Sequence, residues 1–282
     1  MKSYLNLGCG QRFHPEWTNV DFVAGNACVL SHNLRKGIPF QNEQFDVVYH
    51  SHLLEHFPKS NALTFLRDCH RVLRPRGILR IAVPNLERIA RGYLQALEEA
   101  VQGDEQWRYN YEWMMLELFD QTVRERSGGE MAACLFQERI PNKKFILERI
   151  GLEAQRVIES AEQTRAGTPI QAGRKATLGR ALHRVYRLLR DSAFRRELML
   201  RYLLGTEYEL LQVGRFRRGG ELHLWMYDRY SLPELLSATG FQHSQVVGPA
   251  ESQIPNWTMY NLDTEPDGTV YKPDSLYVEA LK

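Results

Sequence analysis

The first 84 residues alternate short apolar runs with turn-rich breaks. Tyr4 to Gly8 reads as a strand that runs into Gly8-Cys9-Gly10, and Thr18 to Phe22 as a second strand carrying Asp21 near its end. Ala27 to Leu30 is a weaker third. Phe45 to His50 is nearly continuous in apolar residues, as a strand covered on both faces should be. Ala62, Phe65, Leu66, Cys69, Val72 and Leu73 then recur at helical spacing. They predict a helix over about 60–73, with Ser60 or Asn61 as its cap. Pro75-Arg76-Gly77 ends that helix, and Ile78 to Val83 forms a fifth strand closed by Pro84-Asn85.

From Leu86 to about Gly220 helical patterns take over, including Trp107–Glu125 and Leu178–Arg190. Leu222 to Tyr227 alternates like a strand. Ser231 to Leu236 begins a helix, with Ser231 as cap and Pro233 in the first turn. Phe241–Val247 and Leu276–Leu281 read as a sixth and a seventh strand, and the turn-rich stretch 255–273 between them packs across the surface. Strands joined through helices predict an α/β fold with a Rossmann-like, mostly parallel sheet and a helical insertion after the fifth strand. Residues 1–85 and 222–282 form the core in this reading. Residues 86–221 form the insert, a natural lid.

At 282 residues, with 43 % hydrophobic and 25 % charged, the chain has the composition of a globular protein. The formal net charge is +2, so no global field draws it to nucleic acid. Thirteen Lys/Arg against four acids give residues 165–218 a local balance of +9, read first as a solvated helical face. No RNA-binding motif accompanies it, and no nucleic-acid partner is expected. Cys9, Cys28, Cys69 and Cys134 share no metal or disulfide spacing and read as reduced thiols. No apolar run approaches the ~18 residues of a membrane span. With no leader visible before the first strand, the expected location is cytoplasmic.

In an open parallel sheet, ligands sit beyond the carboxyl ends of the strands. That rule gathers Gly8–Gly10, Asp21, His32–Leu34 and His50–His56 around one crevice. A nucleoside cofactor needs a glycine turn for close backbone approach, an acid for the ribose hydroxyls and a clamp for adenine. Gly8 and Gly10, Asp21, and Asn33-Leu34 are candidates for these tasks. A nicotinamide fingerprint fails because Phe13 stands where its third glycine belongs, and no phosphate-binding P-loop is present.

These residues resemble the class I S-adenosylmethionine-dependent methyltransferases. The likeness rests on Leu5-Asn6-Leu7-Gly8-Cys9-Gly10, Asn19-Val20-Asp21, Phe45-Asp46-Val47-Val48-Tyr49, His52-Leu53-Leu54-Glu55-His56 and Leu73-Arg74-Pro75-Arg76-Gly77-Ile78-Leu79. It is greatest to a bacterial group associated with glycan and secondary-metabolite biosynthesis, which also has counterparts of His32-Asn33-Leu34-Arg35, Glu117-Leu118-Phe119-Asp120-Gln121 and Lys272-Pro273-Asp274-Ser275-Leu276. The resemblance implies seven strands, the last antiparallel, and S-adenosylmethionine as cofactor. It implies cofactor contacts from Asn6, Gly8, Cys9, Gly10, Asp21, Phe22, Asn33, Leu34, His50 and Ser51. Asn6 replaces the usual acid under the glycine loop, and Asn33 replaces a common Asp. Only ten residues separate Gly10 from Asp21, too few for a long crossover helix. Arg12, Phe13 or His14 are expected to compensate.

Methyl transfer to a hydroxyl needs the acceptor oriented and its proton removed. His52, Glu55 and His56 share one face at i, i+3, i+4, and a histidine held by a glutamate is a suitable base. The same trio could bind a metal, but the resemblance requires none and no metal is expected. Asp120, Gln121, Arg124, His223, Trp225, Tyr227 and Asp228 are further polar candidates for the crevice. Trp107, Tyr109, Tyr111 and Trp113 could line an acceptor pocket or simply pack. The expected acceptor is a small molecule, sugar or glycan; a peptide, carboxylate or nitrogen acceptor and a non-catalytic cofactor-binding scaffold are the alternatives. A homodimer is compatible with the sequence.

Overall fold

The computed structural model describes residues 3–166, 186–188 and 190–282. Seven strands form one sheet: β1 (Tyr4–Leu7), β2 (Thr18–Asp21), β3 (Val29–Ser31), β4 (Phe45–Ser51), β5 (Leu73–Pro84), β6 (Gln242–Val247) and β7 (Ser275–Leu281), in the order β3-β2-β1-β4-β5-β7-β6. The first five pair in parallel, and β7 runs antiparallel to both β5 and β6. The fold is therefore the mostly parallel Rossmann-like sheet expected from the sequence. Strand order reverses between β1 and β4, which makes the end of that pair the place where such sheets bind ligands.

Helix α1 (Lys59–Val72) buries Ala62, Phe65, Leu66, Cys69 and Val72, the apolar set read from the sequence. Together with α9 (Ser231–Ser237) it covers one face of the sheet through Leu5, Leu7, Val48, Leu79, Ile81, Leu232 and Leu236. Neither helix is capped by the serine expected. The cap of α1 is Pro58, whose carbonyl accepts from Asn61 and Ala62 N–H. Ser60 already lies inside the first turn. At α9 the Asp228 carboxylate accepts from the Tyr230 and Ser231 amides, 3.0 and 2.7 Å away.

The other face shows what replaces the missing crossover helix. Residues 8–17 form turns only. In place of a helix, Trp17 meets Trp257, Ile254, Tyr260 and Leu262 from the long connection before β7, over Tyr4, Val47 and Tyr49 of the sheet. Arg80 of β5 is wholly buried under this aromatic lid. It donates to Asp263 at 2.9 Å and Glu279 at 2.7 Å, and stacks 4.4 Å from the Trp257 ring. A buried guanidinium is tolerable only with such complete pairing. The stretch 255–273 is thus a structural cover of the sheet.

Between β5 and α9 in sequence lie α2 (Leu86–Val101), α3 (Glu105–Val123), α4 (Gly129–Leu135), α5 (Lys143–Ile150), α6 (Leu152–Ala166), α7 (Ser192–Leu204) and α8 (Glu207–Arg218). The side chains of Asn85 and Asp104 cap α2 and α3 by accepting first-turn amides. Helices α2 to α6 share a separate apolar cluster around Trp113, Met114, Ile146 and Ile158. Glu117 on α3 accepts two bonds from Arg149 on α5 and one from the Trp113 indole, a buried cross-link inside that cluster. Leu222–Tyr227 is not a strand: it runs extended, with a single bridge between Asn85 and Tyr227. The expected helix at Leu178–Arg190 and much of the basic segment 165–218 fall outside the described residues. Among the described residues no helix is long and apolar enough to cross a membrane.

Candidate functional site

At the switch point the chain leaves β1 through a tight turn. Gly8 and Gly10 adopt φ of +64° and +53°, a region L side chains rarely occupy. The Gly8 and Cys9 amides bond to the Val20 carbonyl at 2.8 and 3.2 Å. A Cβ on Gly8 would press on Leu53 at 2.9 Å, whereas one on Gly10 would meet open space. Asp21 accepts from the Gly10 amide at 2.8 Å and from Val23 N–H at 3.2 Å, so it braces the turn directly. Buried Asn6 donates to the Arg12 carbonyl at 3.0 Å and to Asn19 Oδ1 at 3.2 Å. A neutral amide thereby fixes residues 8–14 from beneath, in the place where an acid was the more usual choice.

A cavity of about 190 Å³ opens here, lined by Asn6, Gly8, Cys9, Gly10, Ser51 and His52, with Arg12, Tyr271 and Lys272 among the others. Phe22 flanks the loop as an exposed ring. Asn33 caps the short turn Leu34–Lys36 with its own side chain. Leu34 and His50, both expected at the crevice, lie elsewhere. Leu34 belongs to the sheet core. His50 has no exposed surface; its ring packs edge-on 5.3 Å from Phe65 of α1. Alternation along β4 explains the latter, since Ser51 and Tyr49 take the opposite side from His50 and Val48. Burial holds the His50 imidazole neutral, its pKa down at about 3.

His52 follows β4 with φ +49°, a left-handed kink that turns its ring out of the strand direction. Its Nε2 lies 2.8 Å from Ser275 Oγ and its Nδ1 3.5 Å from Glu55 Oε1. A second cavity, about 400 Å³, lies on the far side of His52. Its polar lining includes His56, His223, Gln121, Arg124, Lys272 and Asp274, and its apolar lining Trp113, Met131, Leu135, Ile150 and Val157. Sheet loops thus supply mainly the polar wall and helices α3 to α6 the apolar one. His52 and Lys272 line both cavities.

Segment 222–225 is laced onto the turn that carries Glu55. Leu224 N–H and Trp225 N–H donate to the Glu55 carbonyl at 2.7 and 3.2 Å, and His223 N–H to the Gln121 carbonyl at 2.9 Å. The Leu222 carbonyl accepts from His56 Nδ1 at 2.9 Å. His223 Nε2 stands 4.0 Å from Glu55 Oε1. Glu55 is wholly buried and neither carboxylate oxygen has a hydrogen-bond partner; burial pushes its pKa up to about 8. Burial also lowers the pKa values of His52, His56 and His223, so all three imidazoles are neutral at physiological pH.

Lys272 pairs with Glu153 at 2.9 Å; burial opposes its charge, and the neighbouring carboxylates more than restore it. Burial raises the Asp274 pKa to about 7. Among the other polar candidates, Gln121, Arg124 and His223 reach the second cavity. Asp120 is buried in an ion pair with Arg124, which also bonds Glu221. Trp225 stacks under Lys59, Tyr227 is buried in the core, and Asp228 caps α9. Of the four candidate aromatics on α3, only Trp113 lines the second cavity; Trp107 packs on Phe145, and Tyr109 and Tyr111 line a separate outer pocket. Glu153 and Ile150 had no sequence signal, because only the packing of α5 and α6 brings them here.

Residues 5–81 match the family model described as a methyltransferase domain. Among solved structures, the cyclase SpnF is 19 % identical over 29 % of this chain and 38 % of that one, with a TM-score of 0.24. A methyltransferase from Aquifex aeolicus is 17 % identical over 30 % of this chain and 57 % of that one, at TM-score 0.25. In both, less than two thirds of the other protein's length is matched. A possible histamine N-methyltransferase from Thermotoga maritima is 10 % identical over 100 % of this chain and 83 % of that one, at TM-score 0.37. Comparison with curated proteins gives no match. The glycine turn, Asp21 and the His52–His56 segment all lie within the residues that match the methyltransferase-domain model.

Proposed function

We propose that the chain transfers the methyl group of S-adenosylmethionine to an oxygen of a small metabolite, sugar or glycan held between the sheet loops and the helices of residues 86–221. The observation that carries this reading is the shared wall: His52 and Lys272 border both the glycine-loop cavity and the larger cavity beyond it. A methyl donor on one side and an acceptor on the other would face each other across it, the arrangement an in-line displacement needs. In the reaction the acceptor oxygen bonds the methyl carbon, the carbon–sulfur bond breaks, and S-adenosylhomocysteine leaves. The hydroxyl proton passes to His52 or His56, whose neutral state leaves one ring nitrogen free to accept it.

In this reading the backbone of Gly8 to Gly10 approaches the cofactor, with Asn6, Cys9 and Ser51 beside it. Asp21 spends lone pairs on Gly10 and Val23 amides, yet a carboxylate has further acceptor sites for ribose hydroxyls. Phe22, Asn33 and the backbone of 32–34 would border the adenine. Titration calorimetry with S-adenosylmethionine tests the cofactor half: micromolar binding that weakens at least tenfold in Asp21→Ala is expected, and absence of binding overturns the reading. Product formation by His52→Ala and His56→Ala, measured against an extract of small metabolites, tests the other half. If binding holds but neither wild type nor variants give a methylated product, the chain is a cofactor-binding scaffold.

A further inference from the structure

We infer that Glu55, His56 and His223 form a binding site for one divalent transition-metal ion, Zn²⁺ by preference, at the inner end of the larger cavity. One ligand atom from each residue lies within 4.8 Å of the others, so a modest closure brings them to coordination distance. Three features of the cluster point to a cation. Glu55 is a fully buried carboxyl whose two oxygens have no hydrogen-bond donor, so it must either stay protonated or meet a cation. The Leu222 carbonyl takes the Nδ1 proton of His56 and leaves Nε2 with its lone pair, the outer-sphere contact that ligating histidines commonly make. His223 is delivered by a backbone built for it: flanking amides of Leu224 and Trp225 bond to the Glu55 carbonyl, and its own amide to Gln121.

Lys272 acts on Glu55 through its charge, but neither it nor Arg124 gives Glu55 a hydrogen bond. Lys272 is paired with Glu153, and Arg124 with Asp120 and Glu221. Two imidazoles and one carboxylate with open positions toward a cavity make a donor set of the catalytic-zinc kind. His56 and His223 both line the cavity, so a bound ion would present those positions to whatever enters it. That an acceptor oxygen would occupy one of them rests on the methyltransferase reading; the metal site itself does not. With the ion in place His56 is a ligand, and His52 is the cavity histidine left to take a proton.

The test uses the full chain, stripped with a chelator and dialysed against Zn²⁺, with metal content measured per chain and Co²⁺ absorption recorded separately. One equivalent of Zn²⁺ and a Co²⁺ spectrum of nitrogen and oxygen ligation are expected. His223→Gln and Glu55→Gln should each weaken Zn²⁺ binding tenfold or more, while His243→Gln, outside the site, leaves it unchanged. Should Glu55→Gln fail to fold, as judged by circular dichroism, His223→Gln alone decides. Sub-stoichiometric metal, thiolate bands in the Co²⁺ spectrum, or unchanged affinity in His223→Gln would overturn the site. S-adenosylmethionine titration of the same samples separates the two readings, since cofactor binding without Zn²⁺ sinks only this one, and Zn²⁺ binding without cofactor only the other.

Discussion

His50 offers a quantitative test of how the sheet is covered. Its imidazole is fully buried against Phe65, neither nitrogen has a hydrogen-bond partner, and burial drops its pKa from 6.5 to about 3. In the unfolded chain the same ring binds a proton near pH 6.5. As pH falls below that value the unfolded state therefore gains protons that the folded state refuses. Stability present above pH 6.5 is lost progressively down to about pH 3, where the folded ring finally titrates. Each pH unit is worth about 1.36 kcal/mol, so His50 alone costs about 2 kcal/mol between pH 6.5 and pH 5. His52 and His223 are shifted in the same direction, whereas the raised pKa values of Glu55 and Asp274 act oppositely, so the wild-type curve alone does not isolate His50. The variant His50→Leu isolates the one group. Urea unfolding followed by circular dichroism at pH 8, 6 and 5 should show the variant gaining about 2 kcal/mol on wild type between the first and last conditions. At pH 8 it should be no less stable than wild type, because two unpaired polar atoms have been replaced by methyl groups. Its affinity for S-adenosylmethionine should not move, because the ring faces α1 and lines neither cavity. Parallel stability–pH curves for the two proteins would refute the burial argument, and lost cofactor affinity would refute the placement of the ring.

Two further perturbations probe the glycine loop and the sheet. Both alanines strain a left-handed backbone by about 1–2 kcal/mol; Gly8→Ala also sets a methyl group on Leu53 and should lower Tm further, whereas Gly10→Ala has open space around it and should add mainly a loss of S-adenosylmethionine binding by calorimetry. Equal effects of the two on both measurements would contradict the described loop. Arg80→Met leaves the Asp263 and Glu279 carboxylates buried without their cation and should cost about 3–5 kcal/mol in chemical denaturation, with partial recovery when Asp263→Asn and Glu279→Gln are added.

The sequence resolved those parts of the molecule in which neighbours along the chain are also neighbours in space. The apolar spacing of α1, the nearly continuous apolar run of β4 and the glycines after β1 each follow from local sterics and periodicity, and each is found where the pattern put it. Turn chemistry was less legible. Ser60 and Ser231 look like caps, but Pro58 and Tyr230 hold those positions, and the Asp228 carboxylate accepts from the Tyr230 and Ser231 amides. Leu222–Tyr227 alternates like a strand, yet apart from one bridge at Asn85 its amides and carbonyls are spent on Glu55, Gln121, His56 and Leu86.

Sequence alone therefore marked the individual strands, the glycine turn with its acid, and the segment carrying His52, Glu55 and His56, because these depend on residues at most a few turns apart. It also determined that no long crossover helix could follow β1, since ten residues are too few to hold one and return to the sheet. Only the tertiary structure decided what covers the bare face: an aromatic lid around Trp17 and Trp257, joined from opposite ends of the chain. Only it removed His50 from the crevice, because which side of β4 a residue takes is fixed by the layers packed on that strand. And only it brought His223, Lys272 and Asp274 beside His52 and His56, because side chains some two hundred positions apart meet through packing, for which local patterning carries no signal.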